Sequence, residues 1–179
     1  MKIEYKIKFL DCWHISSGKS GGALYDALVL KDENKLPFIP GRTIKGLVRD
    51  NAFQLGYLDE KEKFIDLDLK KCLGDELDAG ECYFSNLYLN ENEQNSIISN
   101  GLQEFLYERL TFTALKNRVA KDDSLREFEV VVPIELEGYI EVCEDCEEKI
   151  KRLLKMIKRL GIDRRRGLGR CEIIIKDKK

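Results

Sequence analysis

The sequence predicts an α+β fold with the ferredoxin-like order β-α-β-β-α-β and long insertions. Three observations carry that prediction. Residues 2–9, KIEYKIKF, alternate strictly, with Ile3, Tyr5, Ile7 and Phe9 on one face and Lys2, Glu4, Lys6 and Lys8 on the other, the pattern of a half-buried strand. Residues 147–160, EEKIKRLLKMIKRL, set Ile150, Leu153, Leu154 and Ile157 in one apolar helical stripe, with acids at the start and bases at the end to match the macrodipole. Three further β-type runs, CYFSNLYL at 82–89, FEVVVPIELEGYIEV at 128–142 and CEIIIK at 171–176, flank this helix and follow a helical pattern over 42–55.

Taken in order, the first strand changes phase at Leu10 and Cys12, which marks its end or a bulge. HISSGKSGG, 14–22, is a glycine-serine loop, and ALVLK, 27–31, a short strand closed by a turn over 32–34. In LPFIPGRTIKGLVRD, 36–50, Pro40 fixes its own φ and holds the residue before it extended, and Gly41 permits a sharp turn. From there Ile44, Leu47 and Val48 share one helical face and Arg42, Lys45 and Arg49 the opposite one, with Gly46 leaving the backbone bare among the bases. Residues 56–80 are acidic and irregular, with room for short helical pieces, 101–110 suit a short helix, and 114–127 form a charged excursion. Pro133 points to an edge or a bulge in the 128–142 strand, and Gly161 to a C′ residue closing the last helix.

At 179 residues, 43% hydrophobic and 36% charged, the chain suits one soluble domain. No apolar run approaches membrane-spanning length, and the N-terminus reads as a strand rather than a signal peptide. Six cysteines without a secretory signal predict a cytoplasmic protein with thiols or a metal site rather than disulfides. Net charge is −2, which does not advertise a nucleic-acid partner, but the distribution is polar: residues 57–95 hold eleven Asp/Glu against four Lys/Arg, and 147–179 hold thirteen Lys/Arg against five Asp/Glu. That polarity suits a local polyanion site or head-to-tail association of unlike surfaces.

Four groups of residues could carry chemistry. The cationic front of Arg42, Lys45 and Arg49 is either a solvated face or a phosphate grip. GIDRRRGLGR, 161–170, joins Gly167 and Gly169 to Arg164, Arg165, Arg166 and Arg170. It runs from a helix into a strand, so neither a Rossmann nor a Walker reading fits. A bare backbone with guanidinium forks suits phosphodiesters, the alternative being a glycine turn with solvated arginines. Cys143 and Cys146 make one C-x-x-C; structural zinc needs four ligands, which Cys72 and Cys82 could complete, while Cys12 and Cys171 fall on strands and read as core. His14, the single histidine, stands directly after the first strand with no evident partner.

The N-terminal loop, YDALVLKDENKLPFIPGRTIKGLVRD, ALKNRVAKDDSLREFEVV and the terminal GIDRRRGLGR occur in this order and cover most of the chain. Together they resemble the RAMP superfamily of CRISPR-associated proteins, most of all the small backbone subunits of type III effector complexes. The resemblance implies an RRM-like core with a lid over 56–81 and a thumb hairpin over 111–127. It implies a filament of copies of the chain along a CRISPR guide RNA, with a complementary target RNA and other effector subunits as partners and no membrane. The front helix and the glycine loop would hold the guide backbone, and the thumb, with Arg118 and Lys121 touching RNA, would flip a base. Asp26 matches the loop aspartate that supports cleavage of target RNA with Mg²⁺ or another divalent cation; the alternative is an aspartate that caps a turn in a purely structural subunit. A third reading, a stand-alone ribonuclease that processes guide precursors, would use His14 as its base.

Overall fold

The computed structural model describes residues 1–18, 27–57, 65–75, 78–113, 115–116, 119–120 and 126–176. Its central sheet has four antiparallel strands: β1 (Lys2–Phe9), β2 (Tyr83–Phe84), β7 (Glu135–Glu141) and β8 (Cys171–Ile175), in the order β2-β7-β1-β8. The order and the antiparallel neighbours are those of the ferredoxin-like fold, so the sequence reading holds at this level. β1 lies at the centre. Ile7 faces Leu136 of β7 on one side and Ile173 of β8 on the other, and Lys6 faces Glu137. The alternation of KIEYKIKF therefore sorts the faces: Ile3, Tyr5, Ile7 and Phe9 are buried, and Lys6 pairs with Glu137 at 2.8 Å on the open face.

Two helices cover the buried face. α1 (Gly41–Gln54) buries Ile44, Val48 and Ala52, and the later helix α4 (Glu147–Lys155) buries Ile150, Leu153 and Leu154. They meet through an Asn51 Nδ2 bond to the Leu153 carbonyl at 2.9 Å. α4 is shorter than its apolar stripe suggests. Ile157 and Leu160 are still buried, but Leu160 N–H donates to Gly169 O and Cys171 N–H to Lys158 O, so an extended pairing with the strand ahead displaces the last helical turn.

The insertions differ most from the sequence reading. After α1 comes α2 (Leu67–Leu73), capped by Asp66 accepting from Leu69 N–H. Cys72 at its end is joined to Cys82 in a disulfide, with the Cα atoms 4.7 Å apart, which corrects the expectation of thiols or a metal site rather than disulfides at these two positions. Backbone bonds from Glu81 to Lys71 and from Cys82 to Cys72 bring the two together. Between β2 and β7 the chain forms α3 (Glu91–Ser99), a 3-10 turn (Gln103–Leu106), then β3 (Tyr107–Phe112), β4 (Leu115–Lys116), β5 (Val119–Ala120) and β6 (Arg126–Val131). The expected helix over 101–110 is thus half strand, because pairing with β6 in the register Tyr107↔Val131 overrides its local spacing. The expected strand over 128–142 splits at Pro133. Proline brings no N–H to a ladder, and the halves join different sheets, β6 with β3 and β7 with β1. No described helix is long and apolar enough to cross a membrane.

Candidate nucleic-acid interface

The Pro-Gly turn docks the start of α1 onto β2. Gly41 donates to Asn86 Oδ1 at 3.0 Å, and a Cβ at this position would lie 2.0 Å from the Phe84 carbonyl oxygen. Glycine is required here for close approach of two backbones. The apolar back of the helix then falls onto the core as expected, and the basic front turns outward in part. Arg42 is exposed and has no partner among the described residues. Lys45 and Arg49 are engaged: Lys45 Nζ donates to the Ala79 carbonyl at 2.5 Å and Arg49 to the Gly74 carbonyl at 3.1 Å. Burial, with Arg49 beside it, lowers the pKa of the Lys45 ammonium. Gly46 does leave open space beside its Cα.

The glycine loop is held differently. Arg164–Arg166 form a single 3-10 turn entered by Asp163 at φ 49° and left by Gly167 at φ 91°. The loop is stitched to the chain just after β1: Ile162 N–H donates to His14 O, Gly169 N–H to Cys12 O, and Leu10 N–H to Arg170 O. At Gly169, φ is +70° and a Cβ would stand 1.9 Å from Leu160 O, so both conformation and space demand glycine. The turn between these pins presents its guanidinium groups outward. Arg164 and Arg165 are exposed with no partner among the described residues. Arg166 pairs with Asp163 at 3.4 Å and Arg170 with Asp11 at 3.3 Å, both on the surface. The sheet order sets α1's start beside edge strand β2 and the glycine loop at the opposite edge, β8. Three inter-strand spacings separate those edges, about 14 Å.

Asp26, Arg118 and Lys121 lie outside the described residues. The chain directly after Asp26 is well anchored. Ala27 forms a parallel bridge to Phe128 of β6, Val29 N–H donates to Glu129 Oε2 at 3.0 Å, and Lys31 Nζ meets Glu129 Oε1 at 2.7 Å while lying 3.7 Å over the Tyr107 ring. Glu129 is itself buried, so these two donors satisfy a carboxylate that would otherwise be costly. The one signal for Glu129 in the sequence is a lone acid inside an apolar run, FEVVV. The strand that follows Asp26 and the strand that ends the 111–127 excursion are therefore neighbours.

His14 is fully buried beneath this assembly. Its Nδ1 lies 2.6 Å from the Glu129 carbonyl, so Nδ1 carries the proton, and Nε2 is buried with no partner. Burial lowers its pKa, which keeps the imidazole neutral. The position suits a structural histidine between β6 and the glycine loop.

The cysteines do not gather. Cys72 and Cys82 hold each other, which leaves Cys143 and Cys146 as two of the four ligands that zinc requires. Cys146 is buried and donates to Asp68 O at 3.1 Å, and burial, then Cys143, push its thiol up to about 12. Cys171 is core as expected, whereas Cys12 is half-buried. Among the described residues no three His, Cys, Asp or Glu side chains are grouped to hold a metal ion.

Fold and surface together define a ferredoxin-like α+β domain bearing two arginine-lined segments at opposite sheet edges. A model of the RAMP superfamily matches residues 6–172, and the chain belongs to that superfamily. Among solved structures it is similar to a chain of the type III-B Cmr-beta bound to cognate target RNA, with a TM-score of 0.72 and 20% identity over 98% of this chain and 59% of that one. It is also similar to a chain of the apo state of Cmr-beta, with a TM-score of 0.68 and 14% identity over 98% of this chain and 97% of that one. At these identities the likeness shows the fold. Comparison with curated proteins gave no match.

Proposed function

We propose that the protein is a guide-RNA-binding backbone subunit of a type III CRISPR effector complex, and that it cuts bound target RNA through Asp26. Membership of the RAMP superfamily and the likeness to chains of Cmr-beta support the complex. The observation that carries RNA binding is the glycine loop: Arg164 and Arg165 are presented on a turn pinned on both sides to the chain after β1. Guanidinium groups on a pinned turn, with no carboxylate partner among the described residues, suit phosphates, and they read no base, which is what a subunit needs when pairing with a guide supplies specificity. Copies of the chain would follow one another along the guide, together with other effector subunits.

Cleavage rests on Asp26 and on its place in the sequence, one residue before the Ala27 bridge to Phe128. Its test is end-labelled target RNA with the assembled complex, with and without Mg²⁺. The wild type is expected to give a ladder of evenly spaced products only with the cation, and Asp26→Ala to keep target binding and lose the ladder. A wild-type complex that binds target and never cuts it assigns the chain a purely structural role. The precursor-processing reading is less well supported, because its proposed base, His14, is buried and held by Glu129 O.

A further inference from the structure

We propose that the Cys72–Cys82 disulfide is a redox switch on the RNA grip of α1, closing the turn whose backbone carbonyls occupy Lys45 and Arg49. The inference rests on the RNA-binding reading above and adds a control to it.

The turn between the two cysteines offers the cations what a phosphate would offer. The Ala79 carbonyl takes the Lys45 ammonium and the Gly74 carbonyl takes Arg49. The same turn carries Asp75 and Asp78, and the Asp78 charge acts on Lys45. The two carbonyl dipoles and the Asp78 charge are thus a substitute for an anionic ligand, while Asp75 pairs with Lys70 at 3.0 Å. Arg42, one turn earlier on the same face, has no such cover among the described residues. The turn takes Lys45 and Arg49 and not Arg42, and it is closed by the disulfide together with backbone bonds at its base, from Cys82 to Cys72 and from Glu81 to Lys71.

Opening the switch takes one balanced reaction. A dithiol reductant attacks as thiolate, forms a mixed disulfide and resolves it, so two electrons and two protons convert the S–S bond into two thiols while the reductant becomes a disulfide. Both sulfurs are buried, so the exchange proceeds through local opening of the turn and is slow. With the cross-link gone, the turn has more open conformations to occupy, and RNA phosphates compete for Lys45 and Arg49.

The test uses the full chain and a single-stranded RNA of mixed sequence. Thiol titration after denaturation should find four free thiols in the oxidised protein and six after prolonged dithiothreitol, from six cysteines of which four are unbridged. Reduction should tighten RNA binding and steepen its salt slope by about 1.4, the value for two added phosphate contacts on a single strand. Lys45→Ala with Arg49→Ala should bind equally in both redox states, and Cys72→Ala with Cys82→Ala, checked for folding by circular dichroism, should bind like the reduced protein whether or not reductant is present. The wild-type comparison stands alone if that variant does not fold. Six free thiols in the oxidised protein would overturn the switch. So would equal salt slopes in the two redox states while Arg164→Ala with Arg165→Ala still weakens binding. If those arginine changes have no effect and neither redox state binds RNA, the RNA-binding reading itself has failed.

Discussion

The front of α1 and the glycine loop carry the same charge and look alike in sequence, yet the fold uses them in opposite ways. On α1, Lys45 and Arg49 are spent on the carbonyls of a neighbouring turn, and Arg42 is exposed with no partner among the described residues. In the loop the backbone makes the pins, through Ile162, Gly169 and Arg170, and the side chains of Arg164 and Arg165 are left free of described partners. Spacing decides which side chains share a face. Whether those side chains are available is decided by what packs onto the face, here a turn some thirty residues away in the chain.

The largest effect should come from the pins. Gly169→Ala forces an alanine into a left-handed conformation and onto the Leu160 carbonyl, and it should cost about 3 kcal/mol or more, roughly a 6–12 °C fall in melting temperature. Gly167→Ala shares the positive φ but meets open space and should cost only about 1 kcal/mol. Equal losses at the two glycines would mean that the loop is not anchored through residue 169. Next in size, Lys45→Ala and Arg49→Ala should each lower stability by about 1–2 kcal/mol in denaturant melts, as hydrogen bonds from charged donors do, while Arg42→Ala stays within about 0.5 kcal/mol. Three equal and negligible effects would return Lys45 and Arg49 to the solvated face.

The smallest effect is a pH dependence under the loop. Burial lowers the His14 pKa in the folded chain, so on acidification the unfolded chain takes up a proton first. The stability linked to His14 is complete above about pH 6.5 and falls as the pH drops towards and through the folded value. His14→Asn, which keeps a donor for the Glu129 carbonyl, should flatten the decline in melting temperature below pH 6.5. An unchanged profile would remove His14 from the acid response.

The core of the fold was legible because its elements have strong periods: β1 by twos, α1 and α4 by the helical repeat. The inserted part was much less so. α3 has no fully buried residue and therefore writes no stripe, and its signals are local ones, the Asn90 cap and the first-turn acids Glu91 and Glu93. β3 was hidden because its partner β6 lies some twenty residues on, and pairing at that distance leaves no local mark. The split at Pro133 was visible as a break, but which sheet each half joins was not. At the interface, the residue types and the two basic segments could be read from the sequence, whereas the capture of Lys45 and Arg49, the burial of Glu129 and the Cys72–Cys82 bridge depend on tertiary contacts.

The most direct test changes Arg42, Arg164 and Arg165 together to alanine and measures RNA affinity against salt for two unrelated single-stranded sequences. Three lost phosphate contacts should reduce the salt slope by about 2 and weaken both RNAs alike, with the melting temperature unchanged. An unchanged slope, or weakening confined to one sequence, would contradict a backbone grip by these exposed arginines.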